Sequence, residues 1–155
     1  MAASHGSPRP AARLSAAERR GQLAHVAARR FHRLGYHRVS LADVATEAGV
    51  TGPAVYRHFF NKEALLAAAI SSGLDEVELA VITAPGAGLD PLVRAVAAVG
   101  LRRPDMWVLL QRESRFLSPE LRGPVQDQFG RVVDGFSRRL RRERPTSRPR
   151  TRGCS

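Results

Sequence analysis

The sequence predicts an all-α fold, and three observations carry that expectation. Apolar residues recur three and four positions apart, as Leu23, Ala27, Phe31 and Leu34 do, which is the period that lays one stripe along an α-helix. Residues suited to N-caps stand just ahead of such stripes, and glycine or proline follows them. Strict alternation of apolar and polar residues, the mark of a half-buried strand, does not take over in any stretch.

Each helix has its own justification. Ser15 and Glu18 form a capping box, in which each side chain satisfies a backbone amide of the other residue, and Gly35 stops the first helix. Ser40 with Asp43 opens a short second helix, whose apolar face is Leu41, Val44, Ala45 and Ala48 and which Gly49 ends. Thr51 caps a third, in which Pro53 is tolerated because first-turn amides lack intrahelical partners. Val55 and Phe59 face inward there, and the helix is expected to end near His58.

Asn61 caps a fourth, long helix carrying Leu65, Leu66, Ala69, Ile70, Leu74 and Val77 as far as a loop at 83–89. Asp90 and Pro91 read as the N-cap and first position of a fifth helix. Pro104 and Asp105 open a sixth that continues to Phe116. Ser118 and Pro119 open a seventh, in which Gly123 and Pro124 are expected to mark a break or restart. Apolar periodicity ends at Leu140.

This order divides the chain into four parts: an arm at 1–14, expected to be disordered, a three-helix unit at 15–60, a helical unit at 61–142, and a disordered Arg/Pro-rich tail at 143–155. Charge follows the same division. Of the net +11, residues 1–60 hold +6, residues 61–137 hold −2 and the last 18 residues hold +7. A basic head favours a polyanion through neutralisation and counterion release. With 24 Arg and one Lys, an Arg-rich background is an alternative source of the excess, and a tail-driven, sequence-indifferent binder of nucleic acid stays open.

Other classes are excluded by what the sequence lacks. The lone Cys154 gives no disulfide framework and no thiolate metal cluster. No apolar run approaches the roughly 20 residues of a membrane-spanning helix, and the first residues lack the apolar core of a secretory signal, so the cytoplasm is the expected compartment. His25 and His32 lie seven apart without a Cys or carboxylate to complete a metal site. There is no glycine-rich phosphate loop and no nucleophile elbow. Neither an enzyme nor a cofactor is expected.

The stretch from Ser40 to Phe59 places two short helices around the Gly49 turn, the pattern of a helix-turn-helix. In such a unit the first turn of the second helix meets the base edges of DNA. Here that turn holds Thr51, Gly52, Pro53 and Ala54, whose small side chains let the backbone approach closely, with Tyr56 and Arg57 behind them as longer polar probes. Lys62, the only lysine, falls in the first turn of a helix, where a cation opposes the macrodipole. A charge so placed points to an external anion.

The run Gly49-Val-Thr-Gly-Pro-Ala-Val-Tyr-Arg-His-Phe-Phe-Asn-Lys-Glu-Ala-Leu-Leu66 resembles the signature of TetR-type (tetracycline-repressor-like) regulators. The resemblance is strong over residues 15 to about 70 and rests on helix count and apolar pattern beyond. It implies a homeodomain-like three-helix head followed by a ligand-binding and dimerisation domain, in a homodimer that reads a palindromic operator and is released by a small apolar or amphipathic effector. The family normally continues for two more long helices that build the dimer interface. The regulatory part is therefore expected to be incomplete, and the tail to be a truncated or frame-altered end, so that a truncated regulator without DNA-binding function stays open as an alternative.

Carried over residue by residue, the resemblance gives Ser40 and Thr51 a phosphate contact in addition to their caps. Gly52 and Pro53 start the base-facing helix, where Pro53 meets a thymine methyl. Tyr56 contacts backbone or base, and Lys62 grips a phosphate. Arg57 either reads guanine or neutralises phosphate, and His58 is either a packing residue or a phosphate contact. In the second unit Trp107, Leu110, Gln111, Phe116 and Phe129 are the candidates for an effector site, against the plainer reading that such a stripe is core.

Overall fold

The computed structural model of the protein describes residues 14–86 and 88–143. The expected arm, apart from Leu14, and nearly all of the expected tail lie outside the described residues. Among the described residues the regular structure is helical, with no strand.

Helix α1 spans Ala16–Leu34 and starts on the Ser15/Glu18 capping box. A single 3₁₀ turn, Tyr36–Arg38, leads to α2, Leu41–Glu47, which opens on a second capping box made by Ser40 and Asp43. Gly49 turns the chain at φ 66, a conformation that is cheap only for glycine. Helix α3, Gly52–Tyr56, is short and carries proline in its first turn. Thr51 occupies the N-cap position but makes no side-chain cap bond, and the helix ends before His58. Leu23, Ala27, Phe31, Val44, Val55 and Phe59 are buried as expected, but Leu34, the last residue of α1, is 38% exposed and leaves the stripe.

Helix α4, Lys62–Thr83, begins with the Asn61 carboxamide accepting from the Ala64 amide at 2.7 Å. It packs against α1, against α5 (Leu89–Arg102) and against α7 (Pro119–Glu143). Leu65, Leu66, Ala69, Ile70, Leu74, Val77 and Val81 are all buried. A helix apolar around most of its circumference belongs inside, and α4 is the axis on which the other helices are laid. One continuous core runs from α1 through α4 to α7.

Helix α6, Pro104–Val108, continues into a π-type turn, Leu109–Glu113, and a 3₁₀ turn, Ser114–Phe116. The Met106 side chain crosses α4 at Gly73, where a Cβ would lie 2.4 Å from Met106 Cγ. Gly73 therefore sets how closely α6 approaches the axis.

Two further expectations change. Helix α5 starts at Leu89 with Gly88 as its N-cap. Asp90 lies inside the first turn, where a carboxylate favours the helix dipole, and pairs with Arg94 at 2.9 Å. The loop ahead of it is fixed from α7, whose Arg139 guanidinium donates to the carbonyls of Ala84, Gly86 and Gly88.

Pro124 does not break α7, which runs through it. Proline removes one ladder bond there, to the carbonyl four residues earlier. The next turn is anchored on α4 by the buried Val125 and by Gln128, which donates to Asp75 at 2.6 Å and to the Ser71 carbonyl at 3.3 Å.

Candidate nucleic-acid interface

Residues from four elements meet at one cleft on the head. His37 and Arg38 come from the 3₁₀ turn and Ser40 and Leu41 from the start of α2. Tyr56 comes from the end of α3 and Lys62 from the start of α4, and with Val39 these residues line about 350 Å³. Tyr56 is 61% exposed, so its phenol faces solvent. Sequence reasoning passed over Arg38, an exposed cation at the rim of this cleft; its signal was only its place two residues before the Ser40 cap.

Ser40 is held in place rather than free. Its hydroxyl donates to the Asp43 carboxylate at 2.7 Å and accepts from the Asp43 amide at 3.1 Å. The same carboxylate accepts from the Ser40 amide, and Arg30 stands 4.0 Å away. The Ser40 hydroxyl and amide hold the Asp43 carboxyl below its ordinary range, with Arg30 adding to the effect.

Lys62 has internal partners. Its ammonium donates to the Tyr36 carbonyl at 2.9 Å and, more weakly, to that of His37 at 3.5 Å, and it lies 4.3 Å above the centre of the Tyr36 ring. These contacts compensate the cation at a helix start, so its position alone does not require an outside anion. An ammonium carries three protons, which leaves a donor for a ligand in the cleft.

Thr51, Gly52, Pro53 and Ala54 form the entry to α3, with Thr51 and Pro53 exposed and Gly52 and Ala54 half-buried. Arg57 is exposed at the far end of that helix, and His58 is half-buried. The end of α3 is fastened from α1. Arg20 donates to the His58 carbonyl and lies 4.3 Å over the Phe59 ring. Arg20, exposed one turn ahead of the buried Leu23 and Ala24, was missed as a positioning residue. On the other side Arg30 pairs with Glu47 at 2.7 Å, tying α1 to α2.

The five effector candidates fall into different surroundings. Trp107, Leu110 and Phe116 pack against the core, with Trp107 turned towards Gly100 on α5. Phe116 stacks on Tyr36 in the head, centroids 5.0 Å apart. Gln111 and Phe129 are exposed.

A three-helix head with a small-residue helix start and a hydroxyl, a phenol and two cations around one cleft defines a helix-turn-helix protein with a helical companion domain. Residues 23–69 match the family model described as bacterial regulatory proteins, tetR family. The HTH-type transcriptional activator FasR of Mycolicibacterium smegmatis is 36% identical over 94 residues, which is 61% of this chain and 43% of FasR.

Among solved structures, the TetR family regulator PfmR of Thermus thermophilus superposes with a TM-score of 0.69 at 26% identity, covering 77% of this chain and 69% of PfmR. A TetR/AcrR family regulator of Thermobifida fusca is 30% identical with a TM-score of 0.54, covering 78% of this chain and 67% of that one. The chain belongs to the TetR family. It spans less than half the length of the curated relatives it matches.

Proposed function

We propose that the chain is a DNA-binding transcriptional regulator, with residues 15–60 as the reading head and 61–142 as the regulatory part. The observation that carries this reading is the convergence of Ser40, Tyr56 and Lys62, from three separate elements, on one cleft beside the small-residue start of α3. That arrangement suits a phosphate at the cleft and the base edges of the major groove at Thr51, Gly52, Pro53 and Ala54. Arg38 adds charge at the phosphate. Arg57 and His58 extend the contact along the backbone.

A single head reads one half-site, and two heads related by a two-fold axis read a palindrome. The proposed working form is therefore a homodimer on a palindromic operator. Exposed apolar side chains on α7, Phe129, Val133 and Leu140, favour burial against a partner. Occupying an operator keeps other proteins off the same DNA, so the proposed sign of regulation is repression, relieved by a small apolar or amphipathic effector. Such work takes place in the cytoplasm. Among the described residues no helix is long and apolar enough to cross a membrane.

Selection from a random duplex pool tests the proposal. The expected product is a family of palindromes with half-sites about one helical turn apart. Recovery of unrelated sequences, with binding abolished by removing residues 141–155, would replace the regulator with a tail-driven binder.

A further inference from the structure

The α1 face that carries His25 and His32 has no part in the reading cleft. His25, Arg29, His32 and Arg33 share one side of that helix, being four, seven and eight residues apart. The fold sets this side against the α5–α6 junction, where Arg102, Arg103, Pro104 and Asp105 complete a cleft of about 440 Å³. Three exposed arginines and two imidazoles thus converge from two elements distant in sequence.

The acids nearby are already engaged. Asp105, the one carboxylate of the lining, is bound by the buried Arg103, whose guanidinium reaches it at 3.0 Å and also meets Glu76. Arg29 keeps one loose pair, 3.4 Å from Glu47. Arg33 and Arg102 have no ion pair and no side-chain hydrogen bond among the described residues. Like charges gathered on one cleft repel, and an anion between them removes the repulsion. Guanidinium groups match phosphate oxygens with paired donors.

We infer that the cleft between α1 and the α5–α6 junction binds a small, multiply charged phosphate compound, a diphosphate or phosphate ester, held by Arg33 and Arg102 with Arg29 and the two histidines around it. None of its residues lines the cleft of Ser40, Tyr56 and Lys62. A ligand there bridges the head to the regulatory part.

Calorimetric titration of the full chain with inorganic pyrophosphate at low ionic strength tests this. One saturable site is expected. The Arg33→Ala, Arg102→Ala double variant should bind roughly a hundredfold more weakly, at about tenfold per charged hydrogen-bonding group, and Arg33→Gln, Arg102→Gln should do the same with the side-chain length kept. Arg141→Ala, an exposed arginine elsewhere, should bind as the parent does.

Unchanged binding in the double variants, or equal weakening by Arg141→Ala, would overturn the site in favour of diffuse charge. Displacement of pyrophosphate by duplex DNA would also overturn it if the double variant weakened duplex binding as much as Tyr56→Ala does. The cleft would then belong to the DNA interface.

Discussion

The ring of Phe116 lies flat on that of Tyr36, centroids 5.0 Å apart and planes 12° apart. Phe116 ends the α6 segment of the second helical unit, and Tyr36 belongs to the turn that leads to the Ser40 cap. Both rings have a further partner: Lys62 sits over the Tyr36 ring and His37 meets Phe116 edge-on at 4.5 Å. Two residues further along, the Ser118 amide donates to the Glu63 carboxylate. The end of the α6 segment is thus clamped to both the 3₁₀ turn and the start of α4, which are two of the elements that form the proposed reading cleft.

Removing the stack should loosen the head. Phe116→Ala is expected to cost about 1–3 kcal/mol, below the full core value because the ring is half-buried, and Phe116→Leu less. Denaturant unfolding measures the loss. Hydrogen exchange should show it first at the amides from Gly35 to Ser40.

Glu63 makes this clamp sensitive to acid. The Ser118 amide holds the Glu63 carboxyl below its ordinary range. A depressed pKa contributes stability that is present above the unfolded value, near 4.3, and lost as pH falls through the lower folded value. The parent should lose thermal stability below about pH 4.5, with Asp43 and Glu18, lowered in the same direction, adding to the loss. Glu63→Gln should flatten that dependence, and a midpoint series from about pH 3 to 7 reads it.

Gly73→Ala should be destabilising for a steric reason. The new methyl meets the Met106 Cβ and Cγ at 2.7 and 2.4 Å, the root of that side chain and not its free end, so α6 has to move. An overpacked core of this kind costs about 1–3 kcal/mol. Combined with Met106→Ala, Gly73→Ala should cost less than the sum of the two single losses, because the Cγ clash is gone while the Cβ one remains, and a double-mutant cycle of thermal melts reads the difference.

Arg103 is the buried centre of the α5–α6 junction. Burial opposes its charge, but Asp105 and Glu76 outweigh that and raise its pKa. Arg103→Met leaves the Asp105 carboxylate buried and unpaired, which should cost about 3–5 kcal/mol. Arg103→Met with Asp105→Leu should be milder, because an apolar pair of similar volume avoids the stranded charge. A double-mutant cycle in urea separates the two.

Most of the helical order was legible because its signals are local. Ser15 with Glu18, Ser40 with Asp43, and Asn61 all satisfy amides within three residues of themselves, and Gly49 takes the one backbone conformation its turn needs. What escaped the sequence depends on partners far along the chain. Pro124 stays inside a helix because Gln128 and Val125 are anchored on α4. Lys62 is compensated by a carbonyl 26 residues earlier, so a reading confined to its own helix saw only an unfavourable charge. Phe116 has the spacing of a core or cavity residue, and nothing in that spacing names Tyr36 as its neighbour.

The reading cleft gives the sharpest test, because Tyr56 and Lys62 should fail differently. Tyr56 is exposed and Lys62 is bonded to the Tyr36 backbone. Fluorescence anisotropy of the full chain on a selected palindrome and on a scrambled duplex, beside a thermal melt of each variant, measures both properties. A DNA-reading cleft requires that the parent prefers the palindrome, that Tyr56→Ala loses at least about tenfold in affinity, or about 1.4 kcal/mol, with an unchanged melt, and that Lys62→Ala loses both affinity and stability. Equal affinity of the parent for the two duplexes, or full binding by Tyr56→Ala, would contradict it.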